Sequence, residues 1–209
     1  MSSPDPRSSL SRRAHWDERH AAKELVEAFG SVDADPILID EIGSLPAGRA
    51  LDLGTGDGRN AVWLASRGWH VTAVDFSQVG LDRARALAAA NSVDVEWHLA
   101  DLVEWEPGVG RFDLVMLFYV HLPPDERPDV YARAAAAVAP GGTLLIVGHD
   151  RTNRTEGVGG PRDPDVLFTP SEITADLAGF RVDRAEVRRR SPNGPGPIDA
   201  IVRAVRVAG

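Results

Sequence analysis

The chain has 209 residues, 43% hydrophobic and 26% charged, which suits one globular domain with a sizeable core and leaves too little for a second independent one. A formal net charge of -8 gives no general attraction to nucleic-acid phosphates or anionic membranes, so the expected partner is a small molecule, with no nucleic acid and no membrane. The absence of cysteine excludes disulfides, thiolate metal sites and cysteine nucleophiles.

Residues 1–10, rich in Ser, Pro and Asp, are expected to be disordered, and 11–209 to form a single domain. That domain opens with a helix over 11–29, on which Trp16, Ala22, Leu25, Val26 and Phe29 fall near one face. The N-terminus lacks an apolar signal core, and the longest strongly apolar run, LVMLFYV at 114–120, is too short to span a bilayer. A cytoplasmic location follows as the expectation.

From residue 50 onward apolar runs alternate with helical stretches. Strands are expected over 50–53, 70–75, 93–100, 112–120 and 143–149, and helices over 58–68, 78–91 and 125–140, the last closed by Pro140-Gly141-Gly142. Strands joined by helix-length connections pair in parallel with right-handed crossovers, which gives a doubly wound α/β sheet. The uniformly apolar 114–120 belongs near its centre. Residues 149–168 carry many breakers and read as a long functional loop. Thr169, Pro170 and Glu172 form a capping box that starts a helix. The alternating segments 180–190 and 198–207 close the fold as an antiparallel hairpin, bringing the strands to seven; Arg188 to Arg190 read as a solvated strand edge.

The segment LDLGTGDGRN, residues 51–60, sets Gly54, Gly56 and Gly58 directly after a strand and before a helix, where bare backbone can approach a nucleotide-like ligand. A dinucleotide fingerprint would need its third glycine at position 59, which is Arg. Asp52 adds negative charge where a phosphate needs none, so a cationic, phosphate-free ligand fits better. Asp75 closes the next strand, where a carboxylate can accept from both hydroxyls of a ribose, and Asp101 follows the third strand, where it can accept from an adenine amino group. Either aspartate alone would be read as a helix cap or a surface charge.

These motifs, with VAPGGTLLIV before the fifth core strand, resemble the class I S-adenosylmethionine-dependent methyltransferases over roughly residues 36–205. GRNAVWLA and HWDERH are similar to the small-molecule subgroup that includes tellurite-resistance and thiopurine methyltransferases. The resemblance implies a Rossmann-like, mostly parallel seven-stranded sheet. It implies S-adenosylmethionine as cofactor and S-adenosylhomocysteine as product. Gly54, Thr55 and Gly56 would line the methionine and ribose, with Asp52 beside them. Asp75 would hold the ribose, Asp101 the adenine, and Phe76 and Leu102 would flank the ring. Arg59 and Asn60 would organise the helix start, and Trp16 would close the site or else pack its helix.

Methyl transfer is an in-line displacement in which proximity and orientation supply up to about 7 to 11 kcal/mol, so a dedicated base is optional. His121 and His149, at the ends of the fourth and fifth strands, are the candidate bases; His121 has the alternative of donating to a loop carbonyl. Tyr119 either hydrogen-bonds an acceptor or fills the core. Arg151, Arg154 and Arg162 either recognise an anionic substrate or are solvated. No metal is expected, because His15 and His20 have a spacing unsuited to a helix-borne site, and neither a serine-nucleophile elbow nor a Walker lysine loop occurs. The reading is a methyltransferase acting on a small molecule. The alternatives are a non-catalytic nucleoside-binding regulator or scaffold on the same fold and an NAD-dependent oxidoreductase. The acceptor, its reacting atom and the oligomeric state stay open.

Overall fold

A computed structural model describes residues 9–22, 33–191 and 194–208. Its seven strands are β1 (Arg49–Leu53), β2 (His70–Asp75), β3 (Glu96–Leu99), β4 (Phe112–Phe118), β5 (Val138–His149), β6 (Phe180–Arg189) and β7 (Ile198–Arg206). They follow the sheet order β3-β2-β1-β4-β5-β7-β6, with the apolar β4 fourth of the seven. Pairing is parallel for β1 with β2, β2 with β3 and β4 with β5, and antiparallel where β7 meets β5 and β6. This is the Rossmann-like architecture with a closing antiparallel hairpin. The described residues fall into two compact units that meet in sequence between Trp105 and Glu106.

In the first unit, helix α1 (Ser9–Ala22) starts inside the segment expected to be disordered, while 1–8 and the expected continuation over 23–29 lie outside the described residues. Helix α2 (Pro36–Ile42) is capped by Asp35, whose Oδ1 accepts from the Ile37 amide at 3.0 Å. Helices α3 (Arg59–Ala65) and α4 (Gln78–Ala90) are the crossovers between the parallel strands. Leu51, Leu64 and Leu81 are fully buried where they meet the sheet. Gly58, the N-cap of α3, has φ 78°, and a Cβ there would stand 2.5 Å from the Ala84 Cβ and 2.9 Å from the Trp97 ring. Only glycine combines that backbone with so close an approach of α3 to α4. β3 is shorter than the 93–100 expected, because Val93 leaves the strand to pack with Trp97 against Val62, Leu87 and Ala88.

In the second unit, helix α5 (Arg127–Ala137) ends three residues before Pro140 rather than at it. Pro140-Gly141-Gly142 lies within β5 as a bulge: Phe112 pairs with Val138 but Leu114 with Thr143. The 149–168 stretch is structured, with the short helix α6 (Asn153–Glu156), a 3₁₀ turn at Pro164–Val166 and a parallel bridge between Asp150 and Phe168. Phe168 is 1% exposed and anchors the segment in the core. The capping box forms at the start of α7 (Pro170–Thr174), and Arg151 adds a bidentate pair to its Glu172, with a closest contact of 2.8 Å. That Arg151 is therefore a structural partner of α7. β7 is buried over Ile198–Val202, whereas β6 is largely exposed and laces itself with ion pairs, Arg181 to Asp183 at 3.3 Å and Arg184 and Arg188 to Glu186 at 3.2 and 3.1 Å.

Candidate functional site

Two constellations hold the residues singled out in the sequence, one in each unit. In the first, the parallel register of β1, β2 and β3 puts Leu53 beside Val74 and Asp75 beside Leu99, so the loops after the three strands open at one rim. Asp52 is 1% exposed and accepts from the Thr55 hydroxyl at 2.7 Å. Burial pushes its carboxyl up to about 7, against the pull of the Thr55 hydrogen bond and with a further push from the charge of Asp75. Asp75 is buried and also raised, again mainly by desolvation; its Oδ2 accepts from the Gly56 amide and its Oδ1 from the Ser77 amide, each at 2.8 Å. The Phe76 amide is a further backbone donor to the same carboxylate. Asp101 begins a turn, its Oδ1 accepting from the Val103 amide at 3.0 Å. Neither Asp75 nor Asp101 is a helix cap: Ser77 caps α4, and Asp101 opens a turn.

Arg59 and Asn60 reach away to Asp35. Arg59 meets the Asp35 Oδ2 at 3.2 Å, and the Asn60 Oδ1 accepts the Asp35 amide at 2.9 Å. They lock the start of α3 to the start of α2. With Arg59 so committed, the polar groups found at the rim are carboxylates and backbone amides. That donor set fits an ammonium, ribose hydroxyls and an amino-purine. Phe76 and Leu102, both half-buried, follow Asp75 and Asp101 directly. Helix α1 packs on α4: the Asp17 Oδ1 accepts from the Ser77 hydroxyl, and the His20 ring lies 3.3 Å from where a Cβ on Gly56 or Gly80 would stand. Trp16, half-buried, tilts against His20 with ring centroids 5.9 Å apart. Trp16 therefore sits on the helix beside the glycine loop. His20, buried at 6% exposure, is a contact of that loop that sequence reading passed over as a poor metal ligand.

In the second unit, Tyr119, His121 and His149 come together. Tyr119 follows β4 with φ 57°, an uncommon conformation for a residue with a side chain. His121 and His149 stack at 5.3 Å between centroids with planes 3° apart, and Tyr119 lies 5.3 Å from His149. The His121 Nδ1 is 3.3 Å from the Val166 carbonyl, the loop-carbonyl partner weighed in the sequence reading. Burial, and then the neighbouring His149, hold His121 down to about 4, so it is neutral at neutral pH. Nδ1 then carries the proton, and the buried Nε2 makes no hydrogen bond among the described residues.

Two members of this cluster were missed. Antiparallel pairing sets Asp199 on β7 directly opposite His149 on β5, with the His149 Nδ1 3.1 Å from the Asp199 Oδ1. Arg190, read from sequence as part of a solvated edge, instead pairs with this fully buried carboxylate, its Nη2 3.1 Å from Oδ1 and its Nε at Oδ2. The Arg190 guanidinium also lies over the Tyr119 ring at 4.7 Å. Burial would raise the Asp199 carboxyl, but His149 and Arg190 outweigh it and hold Asp199 below the ordinary range. The available signal was an Asp inside the apolar run at 198–202, since a carboxylate in a core strand needs a partner. Among the described residues no group of three or more His, Asp or Glu could hold a metal ion, and no helix is long and apolar enough to cross a membrane.

Residues 50–142 match the family model for a methyltransferase domain. Those residues thus carry a methyltransferase domain. Among curated relatives, the domain is similar to a probable thiol methyltransferase 2 of Arabidopsis thaliana, 33% identical over 111 residues, 51% of this chain and 49% of the relative. It is also similar to a ubiquinone biosynthesis O-methyltransferase of Hahella chejuensis, 29% identical over 85% of this chain and 79% of the relative. The chain thus spans about half the length of the Arabidopsis relative. Among solved structures, magnesium protoporphyrin IX methyltransferase from Synechocystis PCC 6803 with bound S-adenosylhomocysteine shares the fold, with a TM-score of 0.67 and 17% identity over 95% of this chain and 100% of that one.

Proposed function

We propose that this protein transfers a methyl group from S-adenosylmethionine to a small-molecule acceptor by in-line displacement. The observation that carries this is the rim of the first unit, where Asp52, Asp75 and Asp101 close three adjacent parallel strands around the Gly54-Thr55-Gly56 loop. In this reading Asp52 faces the ammonium of the cofactor, Asp75 accepts the ribose hydroxyls and Asp101 accepts the adenine amino group, with Phe76 and Leu102 flanking the ring. Trp16 and His20 on α1 cover the loop. The bound sulfonium supplies an electrophilic methyl. The thiol methyltransferase and ubiquinone biosynthesis relatives support a small acceptor.

Calorimetry with S-adenosylhomocysteine tests the reading. Wild type should bind, and Asp75→Ala should bind at least about tenfold more weakly, since it loses hydrogen bonds to a charged acceptor worth about 1.5 to 3 kcal/mol. No detectable binding to wild type would reject it.

A further inference from the structure

The Asp75 carboxylate is held at both oxygens, Oδ2 by the Gly56 amide and Oδ1 by the Ser77 amide, each at 2.8 Å. Ser77 is fully buried and caps α4, its hydroxyl oxygen accepting from the Gly80 amide at 3.0 Å. Capping uses a lone pair of that oxygen and leaves its proton to be placed. Asp17 on α1, 60 residues away in sequence, takes that proton on its Oδ1. An ionised carboxylate only accepts, so the hydroxyl is oriented in a single sense, proton towards α1 and lone pairs towards α4. An unbroken line of hydrogen bonds therefore runs from α1 through the first turn of α4 to Asp75 and on to the glycine loop, all of it within the first unit.

Helix α1 reaches the loop a second time. His20, three residues after Asp17 and so a neighbour on the same helix face, is buried, and a Cβ added to Gly56 or to Gly80 would stand 3.3 Å from its ring. A Cβ on Gly80 would also stand 3.0 Å from the Gly56 carbonyl oxygen, so the first turn of α4 lies directly on the loop. The charge of His20 favours the ionised form of Asp75.

We propose that Asp17 is a positioning residue for the cofactor ribose, setting the Asp75 carboxylate through the Ser77 hydroxyl, so that docking of α1 on α4 and occupation of the β1–β3 rim strengthen each other. The proposal rests on the reading of Asp75 as the ribose acceptor given above. A diol is bound more tightly by a carboxylate already fixed before it arrives, because less orientational freedom is then lost on binding. Without Asp17 the Ser77 proton rotates freely, and the turn that carries Asp75 loses its tie to α1. Linkage makes the effect mutual: the factor that α1 docking adds to ligand affinity is the factor that the ligand adds to α1 docking.

Calorimetry with S-adenosylhomocysteine and with its 2′,3′-dideoxy analogue tests this. D17A, which favours the helix, should weaken S-adenosylhomocysteine about fivefold or more and the dideoxy analogue less than about twofold. In a D75A background the same substitution should cost less than about twofold for either ligand, because the group it acts through is gone. A tie that merely held α1 to the fold would give one loss for both ligands and in both backgrounds, and that result overturns the proposal. Undiminished affinity in D17A overturns it as well and leaves the cofactor reading standing. Hydrogen exchange supplies the reciprocal readout: saturating S-adenosylhomocysteine should slow the α1 amides of wild type by about the factor that D17A loses, and slow them less in D17A. Exchange in α1 that the ligand does not alter also overturns the proposal. S77A breaks the line at its middle and carries the test, with the same preference for the ribose diol, if D17A does not fold. Failure of wild type to bind S-adenosylhomocysteine removes the cofactor reading and this proposal together.

Discussion

At the scale of single residues, an ammonium held against Asp52, as the proposed function has it, would couple cofactor binding to pH. The carboxyl stands near 7 in the free protein, raised first by burial. A ligand ammonium beside it would lower that value, so between the lowered value and about 7 the complex holds fewer protons than the free protein. Affinity for S-adenosylhomocysteine should therefore rise with pH, by up to about tenfold per unit, and level off above neutrality. Asp52→Asn should flatten that slope, which calorimetry across a pH series reads directly. Asp52 and Asp75 could be found in the sequence because each ends an apolar strand run, where a carboxylate has no packing reason to be. Arg190 could not: its partner lies across the β6–β7 pairing, and a run of three arginines looks the same whether all face water or one turns in.

Among the elements, the approach of α3 to α4 depends on the missing side chain at 58. Gly58→Ala would place a methyl 2.5 Å from the Ala84 Cβ on a backbone at φ 78°. Strain and overpacking together should cost about 2 to 5 kcal/mol in denaturant unfolding. Gly110→Ala, also at positive φ but with nothing within 4 Å, should cost only about 1 to 2 kcal/mol. Equal losses would show that the helix contact contributes nothing. Element types and order were readable here because hydrophobic period and glycine punctuation agree. Ends were less so. Pro140-Gly141-Gly142 carries every mark of a helix stop, yet it serves as a bulge in β5, since pairing with β4 resumes once Leu114 meets Thr143. Residues 149–168 looked structureless because buried Phe168, not local periodicity, orders them.

For the whole molecule, a ligand seated on the β1–β3 rim should raise the melting temperature by mass action. At a hundredfold excess over Kd, S-adenosylhomocysteine contributes about 2.7 kcal/mol, or roughly 5 to 11 °C for a chain of this size. Calorimetric melting should show the shift in the transition that includes residues up to Trp105. An unmoved melt at that concentration would show that the folded chain does not bind the ligand. The strands and their mostly parallel pairing were legible from apolar runs and connection lengths, whereas their order along the sheet and the division at Trp105 have no local signal to announce them.

The crossed charges on β6 have a reach beyond their own strand. A sheet that ends in open backbone invites any extended peptide to dock and continue it. Here a newcomer would have to strip water from Arg181, Asp183, Arg184, Glu186 and Arg188 before it could offer one hydrogen bond in return, so the row of ion pairs acts as a selvedge that keeps the weave from growing.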